Sequence, residues 1–346
     1  MNSLSFPELS NQNFIGRGFV FSAINNFLHR YPKGYLTIVG VPGSGKSAIL
    51  AQLVRQNPDI IYYNAQIPGK NRVDEFFKDV CTQLSLWLGN FSSTQGRREI
   101  EVVNANEGSW LFSNLLQQVS ERLSPENQLI IIIDGLDRVD INSQAVGTNL
   151  FYLPRYLPNQ VYFIFARRPY QRSHSGLLIE APSQVLDLAD FQEENREDVR
   201  EFLRRKRTTE TQSYQRNIIE LIKKNEDNFM YVQQILTAFT EGFYDEHDVN
   251  EVPPGLQVYY QELWDKMQGD GLSDVAVNLL GVLTAGEMQP LSMLDISKVI
   301  NEDVFDVMEV LEGWLEFLQV ISTGKEVKYQ LYHYGFRKWL RGCLSC

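Results

Sequence analysis

Residues 40–47 read GVPGSGKS and lie between a β-branched run, GYLTIV, and a helix-spaced run, KSAILAQLVRQ. The spacing G-x-x-x-x-G-K-S, entered from a strand and left by a helix, is the pattern of a phosphate-binding loop. Glycines let backbone amides converge on phosphate oxygens with no Cβ in the way. The start of the following helix adds partial positive charge. Gly43, Ser44, Gly45, Lys46, Ser47 and Ala48 are therefore the expected nucleotide cradle. In such a loop the lysine, here Lys46, reaches the β- and γ-phosphates, and the hydroxyl, here Ser47, ligates Mg²⁺.

The loop needs a sheet behind it, and the chain supplies one. DIIYYN (59–64), QLIIIID (128–134), QVYFIFA (160–166) and SQVLDL (183–188) read as further strands, separated by helix-spaced runs such as NRVDEFFKDVCTQLSLWL and SWLFSNLLQQVSERL. Strands that alternate with helices, and are too apolar for burial on one side only, predict a parallel sheet covered on both faces. The expected fold class is α/β, a doubly wound P-loop sheet.

Two strand ends carry the complementary chemistry. LIIIIDGLDRVD places Asp134 at the end of a buried strand beside the loop, where a carboxylate holds the nucleotide's metal through water. Asp137, three residues on, is a candidate to orient or deprotonate the attacking water, and Asp140 is a third acid in the same turn. FIFARRP ends its strand on Arg167 and Arg168, and a cation there lies where a γ-phosphate is sensed.

Past about residue 190 the strands stop. NREDVREFLRRKR, QRNIIELIKKNE and NFMYVQQILTAF form a helical stretch, and DEHDVNEVPPGL reads as a linker. Three more helical runs follow, then FLQVISTGKEVKYQLYH, two alternating strands around Thr323-Gly324-Lys325. Three helices and a hairpin make a winged helix. The expected division is a tail (1–13), a P-loop domain (14–190), a small helical domain (191–252) and a winged-helix domain with its tail (253–346).

A net charge of −11 argues against a chain built mainly to embrace nucleic acid. No apolar run approaches the roughly 18 residues needed to span a bilayer. The start lacks the basic and apolar regions of a secretion signal. Three cysteines do not make a disulfide framework, which fits a reducing cytoplasm. The terminal CLSC has the outline of a prenylation box, but Ser345 and Cys346 fit it poorly, and it reads as an exposed tail.

The order FIGR, GVPGSGKS, LIIIIDGLD, ARRP, NFMYVQQIL, VPPGLQVYY and LYHYGFRKWL resembles the STAND class of regulatory ATPases, in particular its NACHT-like branch. The resemblance runs from about residue 14 to 340. It implies a nucleotide-binding sheet, a helical domain and a winged helix closing over bound ADP, with assembly on activation and a role in signal transduction such as innate immunity or programmed cell death. It also implies that Phe14, Ile15, Gly16 and Arg17 contact adenine, and that Arg168, before Pro169, is the sensor arginine. His333 matches the winged-helix histidine that reaches the β-phosphate of ADP. The preference for ATP and ADP over guanine nucleotides comes from the resemblance alone. Arg138 stands where the family commonly has glutamate, which implies slow hydrolysis. Asn228, Phe229 and Met230 stand where a proline is expected. Effector and sensor modules common in the family are not recognised in this stretch, which reads as the regulatory core.

Two other classes fit parts of the pattern. An AAA+-like ATPase could use the winged helix to read DNA, with the RRKR run (204–207), Lys325 and Lys328 as its basic elements. The helical run NEDVFDVMEVLEGWL that would enter a groove is strongly acidic, and phosphates repel it. A small-molecule kinase shares the loop but does not need the trailing helical regions.

Overall fold

Five apolar runs pair side by side into one parallel sheet: β1 (Gly34–Val39), β2 (Ile61–Asn64), β3 (Leu129–Asp134), β4 (Val161–Arg167) and β5 (Ser183–Asp187). Their order across the sheet is β2-β3-β4-β1-β5. The computed structural model describes residues 14–89, 105–170, 175–206, 228–243, 251–285, 290–323, 326–331 and 334–344. The α/β P-loop fold expected from the sequence is the one found.

β3 and β4 are buried at every position. This explains why LIIIID and VYFIFAR run without polar alternation, since a central parallel strand meets side chains on both faces. Odd-numbered Leu129, Ile131, Ile133, Phe163 and Phe165 join a core with α3 (Val73–Trp87) and α4 (Ala105–Arg122). That core is aromatic at its centre. Phe76 stacks on Phe151 at 4.4 Å and meets Tyr63 and Phe112 edge-on at 5.1 and 5.5 Å. On the other face, Phe27 of α1 (Gly18–Arg30) packs edge-on against Tyr162, whose hydroxyl donates to the Leu28 carbonyl at 3.2 Å. α2 (Lys46–Gln56) buries Ile49, Leu50 and Val54 and runs against β3 and β4.

The described chain forms two compact units. One holds residues up to Gly40, Lys46–Arg168 and Arg172–Leu188; the other holds Val41–Gly45, Pro169–Gln171 and the residues from Ala189 on. The second unit holds α5 (Gln192–Lys206), α6 (Phe229–Thr240), α7 (Pro254–Gln268), α8 (Asp274–Thr284), α9 (Met293–Ile300), α10 (Val304–Gly313) and α11 (Tyr334–Leu344), together with a small sheet. That sheet is antiparallel, β6 (Leu291–Ser292), β8 (Glu326–Leu331) and β7 (Leu318–Thr323) in that order. Side-chain oxygens of Asn228, Ser273, Ser292 and Asp303 cap α6, α8, α9 and α10, each satisfying a helix-start amide. Arg337 is buried and donates to the carbonyls of Leu283 and Ala285 at 3.0 and 2.6 Å, which ties α11 to the end of α8. Phe336 and Trp339 of α11 pack on Tyr260 of α7. The run QRNIIELIKKNE, the hairpin residues Gly324 and Lys325, and His333 lie outside the described residues. None of the described helices is long and apolar enough to cross a membrane.

Phe76 is fully buried and meets four aromatic rings, those of Tyr63, Phe77, Phe112 and Phe151. Phe76→Ala is expected to cost about 3–5 kcal/mol, read as a lower urea midpoint with an unchanged slope. A loss below about 1 kcal/mol would contradict the packing of this face.

Candidate nucleotide-binding site

Because the five strands are parallel, their carboxyl ends share one edge, where ligands of open α/β sheets bind. Val39 is level with Arg167 and Asp187, and Asp134 with Asn64 and Ala166. One detail differs from the sequence expectation. β4 lies between β1 and β3, so the strand that carries Asp134 is not beside the strand that leads into the loop but next but one. Two strand spacings are roughly 9.5 Å, too far for a direct contact between strand ends. The first turn of α2 spans the gap, and its Ser47 hydroxyl and Lys46 charge act on the Asp134 carboxyl, pulling its pKa down against burial.

The loop itself is shaped by its glycines. Gly43 and Gly45 have φ of 80° and 89°, left-handed values that glycine adopts without a steric penalty. Within its own unit the loop is also contacted from the start of α6. Asn228 donates to the Pro42 carbonyl, and the Met230 amide to that of Gly43, both at 3.4 Å. A Cβ at Gly43 would sit 2.6 Å from the Asn228 carbonyl oxygen. Ser44 is buried, and its amide donates to Val41. Ala48 is half-buried in α2.

Lys46 donates to the Gly40 carbonyl at 2.6 Å. Burial pushes its pKa down to about 8, against the upward pull of Asp137, Asp134 and Asp187, while Arg168 adds to the lowering. A phosphate brought to this ammonium would favour its charged form in the same way the carboxylates do. Asp134 is 1% exposed. Burial pushes its carboxyl above the usual range, opposed by the Ser47 hydroxyl, the Lys46 charge and the hydroxyl of buried Tyr62 at 3.4 Å, and reinforced by Asp137.

Asp137 and Arg168, chosen separately from the sequence, are partners. The Asp137 carboxylate accepts from the Arg168 backbone amide at 3.0 Å and lies 3.5 Å from its Nε. The more exposed Arg138 is 3.8 Å from the same carboxylate. Arg167 points elsewhere: it is buried and donates to the Ser175 carbonyl at 2.8 Å. Asp140 is structural, accepting from the Asn142 amide at 3.0 Å to cap a short turn.

Phe14, Ile15, Gly16 and Arg17 form the entry to α1. Phe14 meets Phe21 edge-on at 5.8 Å, and Ile15 is buried. Gly16 and Arg17 are both left-handed, and the Arg17 carbonyl accepts the first amides of the helix. The Arg17 side chain is buried, its guanidinium 5.9 Å from the Phe19 ring centre.

Three residues at this edge carried no motif signal: Tyr62, Gln66 and Asp187. Each lies at or near the carboxyl end of β2 or β5, which is the one clue the sequence offered. Gln66 donates to the Ser47 hydroxyl at 3.2 Å.

The donor set suits Mg²⁺. Among the described residues no cluster of three or more His, Cys, Asp or Glu could hold a metal alone. Mg²⁺ at a phosphate site needs only one or two protein oxygens, with water and phosphate completing the octahedron. Ser47 and Asp134 provide that pair.

Residues 13–165 match the AAA ATPase domain family. That segment is similar to P-loop ATPase domains. It spans less than half of the chain. No curated protein matches this chain. Among solved structures, that of Drosophila ORC bound to DNA is similar at 13% identity, covering 90% of this chain and 90% of that chain with a TM-score of 0.33.

Gly135, which follows Asp134, has a φ of 74°, and a Cβ there would lie 2.4 Å from Gln66 Cγ. Gly135→Ala is therefore expected to lose about 1–3 kcal/mol through backbone strain and this clash. Calorimetric unfolding would show it, and an unchanged transition would contradict the geometry of this turn.

Proposed function

We propose that the chain is an adenine-nucleotide switch that binds ATP or ADP with Mg²⁺, hydrolyses ATP slowly and self-associates on exchange for ATP. The observation that carries the reading is the convergence of Lys46, Ser47, Asp134 and the Asp137–Arg168 pair at one edge of the sheet. Lys46 would exchange the Gly40 carbonyl for phosphate oxygens. Ser47, and Asp134 through water, would hold Mg²⁺, which neutralises charge on the β- and γ-phosphates when bound. Arg168, oriented by Asp137, would meet the γ-phosphate, so that ATP and ADP make different contacts. A nucleotide can shift a conformational equilibrium only through such differential contact.

Slow turnover fits the local chemistry. Asp137, the carboxylate that acts most strongly on Lys46, is engaged by the Arg168 amide and guanidinium, and Arg138 occupies the following position. The switch itself rests on the motif order that resembles STAND ATPases. In that reading Phe14–Arg17 serve adenine, and His333 of the C-terminal winged helix bonds ADP phosphate in the closed form. A reducing cytoplasm suits the buried free thiol of Cys81. The charge pattern speaks against nucleic acid as a partner. Arg204 and Arg205 of the basic run pair with Glu197 and Glu201 on their own helix, and α10 carries Asp306, Glu309 and Glu312.

Lys46→Ala is expected to lower ADP and ATP affinity more than tenfold, since charge-assisted bonds contribute roughly 1.5–3 kcal/mol. Calorimetry with both nucleotides tests this, and wild-type affinity would overturn the phosphate site. Asp134→Asn should abolish most Mg²⁺-dependent hydrolysis while leaving the unfolding midpoint near wild type. His333→Ala should release ADP roughly ten- to a hundredfold faster, by the loss of one charge-assisted bond, and promote self-association with ATP. Unchanged ADP release would end the switch reading while leaving nucleotide binding intact.

A further inference from the structure

Ser47 has one proton to donate and two lone pairs to offer. The hydroxyl also opposes the upward push of burial on the neighbouring Asp134 carboxyl. One lone pair takes the Gln66 amide, whose Nε2 is 3.2 Å from Ser47 Oγ. With both neighbours fixed, the second lone pair has a single direction left.

Gln66 is exposed, but the turn that carries it is held. Its own backbone amide donates to Asn64 Oδ1 at 2.9 Å. The preceding amide, Ala65, donates to the Asp134 carbonyl at 2.9 Å, so the turn after β2 is pinned to the end of β3. Its side-chain stem lies over Gly135, where a Cβ would approach Cγ to 2.4 Å. The left-handed glycine after Asp134 thus makes the room that Gln66 fills. These contacts converge on one hydroxyl, at the position where P-loops ligate a divalent cation.

We infer that Gln66 is a positioning residue for Mg²⁺: it orients the Ser47 hydroxyl toward the cation and so sets metal affinity separately from nucleotide affinity. The inference rests on the nucleotide-site reading above and adds to it a residue that touches neither metal nor phosphate. Removing the amide frees the hydroxyl to rotate. The cation then has to immobilise it, at the cost of affinity. Phosphate binding, which uses Lys46 and loop amides, does not pass through Gln66.

The test uses the whole chain and separates the two affinities. ADP affinity is measured by calorimetry in EDTA, and Mn²⁺ affinity of the ADP complex by the electron paramagnetic resonance of free Mn²⁺. Gln66→Ala and Gln66→Met are compared with wild type. The methionine variant keeps the stem over Gly135 and removes only the hydrogen-bonding group. Both variants are expected to bind Mn²⁺ roughly two- to tenfold more weakly, the range set by one modest hydrogen bond. ADP affinity in EDTA should stay within about twofold of wild type. Unchanged Mn²⁺ affinity in either variant overturns the inference. So does an equal loss of ADP affinity in EDTA, which would mean that Gln66 merely props the loop. A wild-type chain that binds no ADP would instead bring down the nucleotide-site reading itself, so the two failures are distinguishable.

Discussion

The burial of the Asp134 carboxyl, which the Ser47 hydroxyl and the Lys46 charge oppose, is the constraint on which the architecture of the site depends. Asp134 is a carboxylate set at the end of one of the most apolar strands in the chain, and it is almost wholly buried. A carboxylate in that setting must be paired or hydrogen-bonded to be tolerated. The first turn of α2 supplies the Ser47 hydroxyl and the Lys46 charge that oppose this burial. Tyr62 contributes a second hydroxyl from β2. Three elements distant in sequence are thereby registered on one group.

Around that centre, polar and apolar demands are kept apart along each strand. Ile131 and Ile133 enter the core that α3 and α4 share, while Asp134, the last residue of the strand, lies outside it with Ile130 and Ile132. The aromatic cluster of Phe76, Phe112, Phe151 and Tyr63 gives this core rings that meet edge-on or stacked, arrangements that favour particular orientations over others. A fixed core is what allows a site at the strand ends to be aligned to fractions of an ångström.

Much of this was legible in the residues. The strands announced themselves as uninterrupted β-branched and aromatic runs, and GVPGSGKS carries its own geometry because only glycine adopts its backbone freely. Lys46, Ser47 and Asp134 followed from spacing. The order of strands did not, because a parallel sheet with helical crossovers leaves open which strand lies next to which. That is why β4 was not foreseen between β1 and β3. The pairing of Asp137 with Arg168 was also hidden: the two residues come from separate strands, and only the sheet makes them neighbours. Gln66 was hidden for a different reason. A lone glutamine in a polar turn is among the least informative residues in a sequence, and its meaning comes from the glycine opposite it.

The mixture of signs at the strand ends has a kinetic consequence. Lys46 sits among three carboxylates, Asp134, Asp137 and Asp187, with Arg168 as the neighbouring cation, on a chain whose net charge is −11. A polyanion approaching this edge meets no long-range attraction to funnel it inward. Capture is left to short-range amide and ammonium contacts, which act only after arrival. Added salt, which slows association wherever a basic surface steers an anion, should leave the rate of nucleotide entry here unchanged or raise it.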